Sequence, residues 1–128
     1  MTKVLIIDNH KLVGAAMALV LLKEFDFHYI HILDVNEAME KFRSEEFDII
    51  IFNIKLEQAF KEDSNEARIL KLIESNIPVI ILSDNDSEEL QIKCYTLGAD
   101  QFISTKNFSL PLTLLKIRNL IKLSVNLK

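Results

Sequence analysis

Short apolar runs alternate along this chain with longer segments whose hydrophobic residues recur at helical spacing. Lys3-Val4-Leu5-Ile6-Ile7 is the first run, closed by Asp8-Asn9-His10, polar residues able to cap a helix predicted over 11–24. Phe27 to Leu33 reads as a second strand. Asp34 then stands as N-cap of an amphipathic helix in which Ala38, Met39 and Phe42 share one face. The third run, Asp48 to Asn53, holds Ile49-Ile50-Ile51-Phe52 without interruption, which suits a strand buried on both faces. Beyond a polar segment, Ala67, Ile69, Leu70, Leu72 and Ile73 predict a helix over 65–75, and Pro78 opens a strand from Val79 to Leu82. Asp86 to Leu97 reads as a helix stopped by Gly98, Gln101 to Ser104 as a fifth strand, and Leu110 to about Leu123 as the last helix, with Pro111 in its first turn.

Strands alternating with helices imply an α/β domain with a parallel sheet, and right-handed crossovers place helices on both faces. For five strands the common doubly wound order is 2-1-3-4-5, which makes the first and third strands neighbours. In such a sheet the functional crevice lies outside the carboxyl ends of the strands, so Asp8, Asn9 and Asn53 should line one crevice.

Composition narrows this picture. A length of 128 residues with 49% hydrophobic content suits a single domain spanning 1–128, with a core that needs no staples. One cysteine, Cys94, excludes an internal disulfide and fits a reducing, cytoplasmic setting; no apolar stretch has the length of a membrane span. A net charge of −4 argues against a nucleic-acid surface, because neutralising phosphates needs clustered Lys and Arg.

Four pieces in order carry a family resemblance: Val4-Leu5-Ile6-Ile7-Asp8-Asn9-His10, Asp48-Ile49-Ile50-Ile51-Phe52-Asn53, Pro78-Val79-Ile80-Ile81-Leu82-Ser83, and Gly98-Ala99-Asp100-Gln101-Phe102-Ile103-Ser104. Over essentially its whole length the chain resembles the receiver domain of two-component response regulators, and His10 after the acidic position is most similar to LuxR-type receivers. The resemblance implies a flavodoxin-like fold. It also implies phosphoryl transfer from a histidine kinase to an aspartate ending the third strand, with Mg²⁺ held partly by an acidic pair.

The chain departs from that pattern where the chemistry lies. Asn53 replaces the phosphoacceptor aspartate, and Asn9 the second acid of the pair, leaving Asp8 alone. An amide oxygen carries no charge and is a poor nucleophile, and a hard cation needs carboxylate oxygens. At an effective dielectric of ~20 and ~4 Å, each lost charge removes roughly 4 kcal/mol of attraction per unit of metal charge. Mg²⁺ binding is expected to be lost, and no other cofactor, metal or enzymatic activity is expected. Thr105 stands at the family's lysine position, with Lys106 one step later and turned to the other side of an extended segment. Of the functional set, Asp8, Ser83 at the hydroxyl position and Phe102 at the aromatic switch position remain. The segment Leu56 to Ser64 lacks the family's Pro and Gly; it is expected to be a mobile loop without a fixed turn, with Glu57, Glu62 and Asp63 as remote substitute ligands.

His28 and His31 differ by an odd number on a strand and so do not converge on a metal, and Cys94 reads as a structural thiol. The helix over 11–24 is apolar nearly all round. Gly14, Ala15, Ala18 and Leu22 form an outer line opposite an inner stripe of Leu12, Ala16, Leu19 and Val20. With Leu112, Leu115, Leu120, Ile121 and Leu123 of the last helix beside it, this face predicts a homodimer through the first and last helices. The expected function is that of an atypical receiver lacking the phosphoacceptor and acting through protein partners. The alternative is the regulatory domain of a LuxR-type transcription factor whose DNA-binding part follows Lys128.

Overall fold

The computed structural model describes residues 2–9, 24–61, 63–106 and 109–126, the side chains of 110, 125 and 126 excepted. The predicted first helix, with His10 and the line Gly14, Ala15, Ala18 and Leu22, lies outside the described residues, as does Glu62.

Five parallel strands pair in the order β2-β1-β3-β4-β5: β1 is Lys3–Asp8, β2 Asp26–His31, β3 Ile49–Asn53, β4 Val79–Ser83 and β5 Gln101–Ser104. This is the doubly wound order expected from the alternation of runs. The Val- and Ile-rich central strands are buried almost completely because each face of the sheet carries its own core. Leu5, Ile7, Ile50, Phe52, Val79 and Ile81 face one core, closed by the helices Val35–Ser44, Asn65–Leu70 and Glu88–Leu97. Val4, Ile6, Ile49, Ile51, Ile80 and Leu82 face the other, where Leu114, Ile117 and Ile121 of the final helix Leu110–Asn126 pack. No helix among the described residues is long and apolar enough to cross a membrane.

One local expectation holds in position but not in its bond, and two need correction. Asp34 occupies the N-cap position of its helix but makes no side-chain cap bond; instead His31 Nδ1 accepts the Leu33 amide at 3.1 Å and fixes a 3-10 turn, Ile32–Asp34, ahead of the helix. The predicted helix over 65–75 is α-helical only through Leu70 and then tightens into a 3-10 segment, Lys71–Ser75, ended by Asn76 in the left-handed region.

The third concerns Leu56 to Ser64, whose described residues begin in a fixed turn. A single helical turn, Leu56–Ala59, buries Leu56 and Ala59, and the Ser64 hydroxyl lies 2.7 Å from the Gln58 carbonyl while accepting the Ala67 amide at 3.0 Å. One side chain thus closes the turn and caps the next helix, which is how the segment dispenses with Pro and Gly.

Ion pairs tie distant parts of the chain. Arg118 grips Glu24 with Nε at 2.8 Å and Nη2 at 2.6 Å, and Lys3 Nζ reaches Glu45 at 3.2 Å. Hydrogen bonds from Arg118 and from Lys3 are the largest influences holding the Glu24 and Glu45 carboxyls below their ordinary values. Because the folded-state values are depressed, the stabilisation is present above the unfolded glutamate pKa of about 4.3 and is lost as pH falls through the folded values. The urea midpoint of the wild type is therefore expected to drop on acidification below about pH 4.3, and the drop to be smaller in a Glu24→Gln, Glu45→Gln double variant. Equal acid sensitivity in both proteins would count against these pairs.

Candidate functional site

The carboxyl edge of the sheet brings the sequence-predicted residues together. Asp8 and Asn53 are paired in the β1–β3 register, and the Asn9 amide donates to the Asn53 carbonyl at 2.9 Å. Alternation along each strand puts Asp8 beyond Val4 and Ile6, and Asn53 beyond Ile49 and Ile51, so both belong to the face covered by the final helix. Asp8 is fully buried, and its Oδ1 accepts a hydrogen bond from Asn53 Nδ2 at 2.9 Å. The orientation of the amide follows for an ionised Asp8: a carboxylate only accepts, so the group facing it is the NH₂.

That bond decides what the crevice can do. The amide satisfies one carboxylate oxygen without adding a charge, where an aspartate at 53 would oppose a second carboxylate to the first. The residues present do not fit Mg²⁺, since Asp8 is the one carboxylate of the Asp8, Asn9 and Asn53 set and Asn53 turns N–H, not oxygen, toward it. No cluster of three potential metal ligands occurs among the described residues.

Ser83 is buried and lies one position past Leu82, the β4 residue in register with Asn53. Its Oγ accepts the Asn85 amide at 3.0 Å, so the hydroxyl is engaged within its own loop. Phe102 packs half-buried against the core on the other side of the sheet, and its amide donates to the Tyr95 hydroxyl at 3.1 Å. The Thr105 amide donates to the Ser83 carbonyl at 2.9 Å and extends the β4–β5 pairing by one residue. Lys106 is exposed, its amide bonded to Ser104 Oγ at 3.3 Å.

Asn85, Asp86 and Ser104, which sequence reasoning passed over as site residues, meet here with each other and with Glu57, which it named as a substitute ligand. Asn85 Nδ2 donates to Glu57 Oε2 at 3.3 Å, and Ser104 Oγ donates to Asp86 Oδ2 at 3.1 Å. The polar run Ser83-Asp84-Asn85-Asp86-Ser87 was the available signal. Tyr29, on β2, has its hydroxyl buried without a hydrogen-bond partner among the described residues; burial first, and the Asp8 charge second, raise its pKa.

The remaining candidates are structural. His28 packs edge-on against Phe47 near Asp26 and Glu45, whereas His31 caps its turn, so the two do not converge. Cys94 is buried, and loss of solvation pushes its thiol up to about 11, which makes it unreactive at neutral pH. An apolar groove of about 190 Å³ beside Phe60, Leu70, Ile73 and Leu97 lies apart from Asp8 and Asn53.

Residues 4–118 match the family described as response regulator receiver domain. The chain is 32% identical over 115 residues to the uncharacterized transcriptional regulatory protein YclJ of Bacillus subtilis (strain 168), covering 88% of this chain and 47% of that protein. It is 29% identical over 121 residues to response regulator RR06 of Streptococcus pneumoniae serotype 2, covering 93% and 52%. The chain thus spans about half the length of these relatives. Among solved structures, a CheY-like response regulator receiver domain protein from Methanospirillum hungatei JF-1 superposes with a TM-score of 0.74 at 17% identity, over 100% of this chain and 99% of that one. The non-phosphorylated HemR receiver domain of Leptospira biflexa gives 0.73 at 19% identity, over 94% of each chain.

Proposed function

This chain belongs to the response regulator receiver domain family of two-component signalling, and we propose that it acts there by protein–protein contact, without accepting a phosphoryl group. The observation that carries the reading is the bond from Asn53 Nδ2 to Asp8 Oδ1 at 2.9 Å. An amide at the nucleophile's position cannot form an acyl phosphate. With its NH₂ given to the remaining acid, it also brings no negative charge to hold a cation there.

Exposed apolar positions supply a contact surface. On the final helix Leu112, Leu115 and Leu123 are exposed on the side opposite Leu114, Ile117 and Ile121. Of the last-helix residues expected at an interface, Ile121 is fully buried in the core and Leu120 packs half-buried against it, so the outer stripe is narrower than its sequence spacing implied. We assign constitutive self-association to this stripe, together with the line Gly14, Ala15, Ala18 and Leu22 of the helix that the sequence predicts over 11–24. No contact with nucleic acid is assigned to the domain, and its setting is taken to be cytoplasmic.

Labelling tests the central claim. The protein is expected to incorporate no phosphoryl group from acetyl phosphate with Mg²⁺, and beryllofluoride to leave its amide spectrum unchanged. Asn53→Asp alone is not expected to restore labelling; Asn9→Asp and Thr105→Lys are needed with it. Stable incorporation of one acid-labile phosphoryl group by the wild type would overturn the reading. A second reading draws on the half-length match to a protein named as a transcriptional regulator: this domain is the regulatory part of a longer DNA-binding factor, of LuxR type by the residue His10. The gene sequence beyond codon 128 decides it.

A further inference from the structure

The loop that follows β4 is fastened on two opposite sides. Toward β3, Asn85 Nδ2 donates to Glu57 of the 56–59 turn at 3.3 Å; toward β5, Asp86 Oδ2 accepts from Ser104 Oγ at 3.1 Å. Within the loop, Asn85 donates its amide to Ser83 Oγ at 3.0 Å and accepts the Ser87 amide on Oδ1 at 3.4 Å, while the Asp86 carbonyl accepts from Gln91 Nε2 at 2.8 Å. Ser104 Oγ in turn accepts the Lys106 amide at 3.3 Å. Three consecutive connections at the carboxyl edge are therefore linked through one polar segment.

We infer that Glu57, Asn85, Asp86 and Ser104 form a latch that sets the position of the β4 loop from within, with no ligand bridging the strands. The inference rests on the absence of phosphoryl chemistry argued above and adds what takes the place of that control. A surface segment as polar as Asp84-Asn85-Asp86-Ser87 has little apolar contact to hold it and would open at small cost if left to itself. One exposed hydrogen bond restrains it weakly. Two anchors on opposite flanks oppose displacement in both directions, and each becomes effective because the other removes the slack. Ser83 is drawn into the same arrangement, because its hydroxyl cannot swing toward the crevice without giving up the Asn85 amide. The loop's setting is thereby built into the fold and constant.

Amide exchange reads this directly. The Asn85 amide is the informative probe, since its acceptor Ser83 Oγ is untouched by removal of either anchor. In the wild type this amide is expected to be protected. Asn85→Ala and Ser104→Ala should each speed its exchange by roughly threefold, and the double variant by roughly tenfold or more. Amides of β1 and β3 should be unchanged, which also shows that the variants fold. Ser104→Thr keeps the hydroxyl and should keep the wild-type rate. An unprotected Asn85 amide in the wild type, or a double variant exchanging at the wild-type rate, would overturn the latch. Acetyl phosphate labelling of the same samples separates the two claims: label in the wild type refutes the non-phosphorylated reading, whereas changed exchange without label in any variant supports the latch on its own.

Discussion

Asn53→Asp is expected to destabilise the protein by about 2–4 kcal/mol near neutral pH, although it restores the residue the family uses. In the wild type Asn53 Nδ2 donates to Asp8 Oδ1 at 2.9 Å, and Asp8 is fully buried. The substitution removes that donor and sets a second carboxylate against the first. Two unit charges ~3 Å apart at an effective dielectric of ~20 repel by roughly 5 kcal/mol, so the pair will relieve itself by holding a proton. A carboxyl whose folded-state pKa is raised binds its proton more tightly when folded. The deficit should therefore be small below the unfolded aspartate value of about 3.9, grow as pH rises, and reach its full size above the folded-state value. Urea unfolding of wild type, Asn53→Asp and Asn53→Ala at several pH values between 4 and 8 measures this. Asn53→Ala loses the bond without adding charge; because the lost donor also lets the Asp8 pKa rise, its cost of about 1–3 kcal/mol should grow with pH too, but less steeply than that of Asn53→Asp. A deficit for Asn53→Asp that is negligible and flat with pH would mean that the amide and Asp8 are not coupled as the geometry indicates.

Adjacent leucines on the final helix should respond in opposite ways to the same substitution. Leu114 is 5% exposed, inside the core formed with Ile117 and Ile121, while Leu115 is 46% exposed on the outer stripe with Leu112 and Leu123. Leu114→Glu places a carboxylate among apolar side chains and is expected to cost about 3–5 kcal/mol of stability. Leu115→Glu puts the charge in water, with an expected effect within about 0.5 kcal/mol, yet it should weaken self-association at least tenfold by desolvating a charge in the contact. Ala18→Glu and Leu22→Lys, in the helix that the sequence predicts over 11–24, should act like Leu115→Glu. Sedimentation equilibrium at micromolar concentration, with circular dichroism to follow folding, distinguishes the cases. A strictly monomeric wild type, or a Leu115→Glu variant that loses ~3 kcal/mol or more of stability, would remove this face as the site of association.

The sequence by itself determined the sheet. Runs such as Val4-Leu5-Ile6-Ile7 and Ile49-Ile50-Ile51-Phe52 are short, continuous and rich in β-branched residues, so they suit strands covered on both faces; their alternation with helical periods leads to the observed order β2-β1-β3-β4-β5. Gly98 likewise announced the end of its helix, and it stands there with φ of 117°, a conformation that a side chain disfavours. The residue types at the crevice, Asp8, Asn9, Asn53 and Thr105, were legible because the carboxyl ends of the strands fix where such residues gather.

The tertiary structure alone decided how those residues meet. Asp8 and Asn53 are 45 positions apart, Asn85 and Glu57 28, and Arg118 and Glu24 94, and no local period encodes which atom of one faces which atom of the other. Where a mobile loop was expected for want of the family's Pro and Gly, the Ser64 hydroxyl closes the segment after the Leu56–Ala59 turn, an outcome invisible to propensity because Ser64 reaches back six residues to Gln58. Helical spacing placed Leu120 and Ile121 near Leu112, Leu115 and Leu123, but only the packing of the final helix against Ile6 and Ile51 settled that Ile121 faces the core and Leu115 the solvent. Local sequence fixes secondary structure through backbone preference and burial period, whereas pairing of polar atoms depends on where crossovers of tens of residues return the chain.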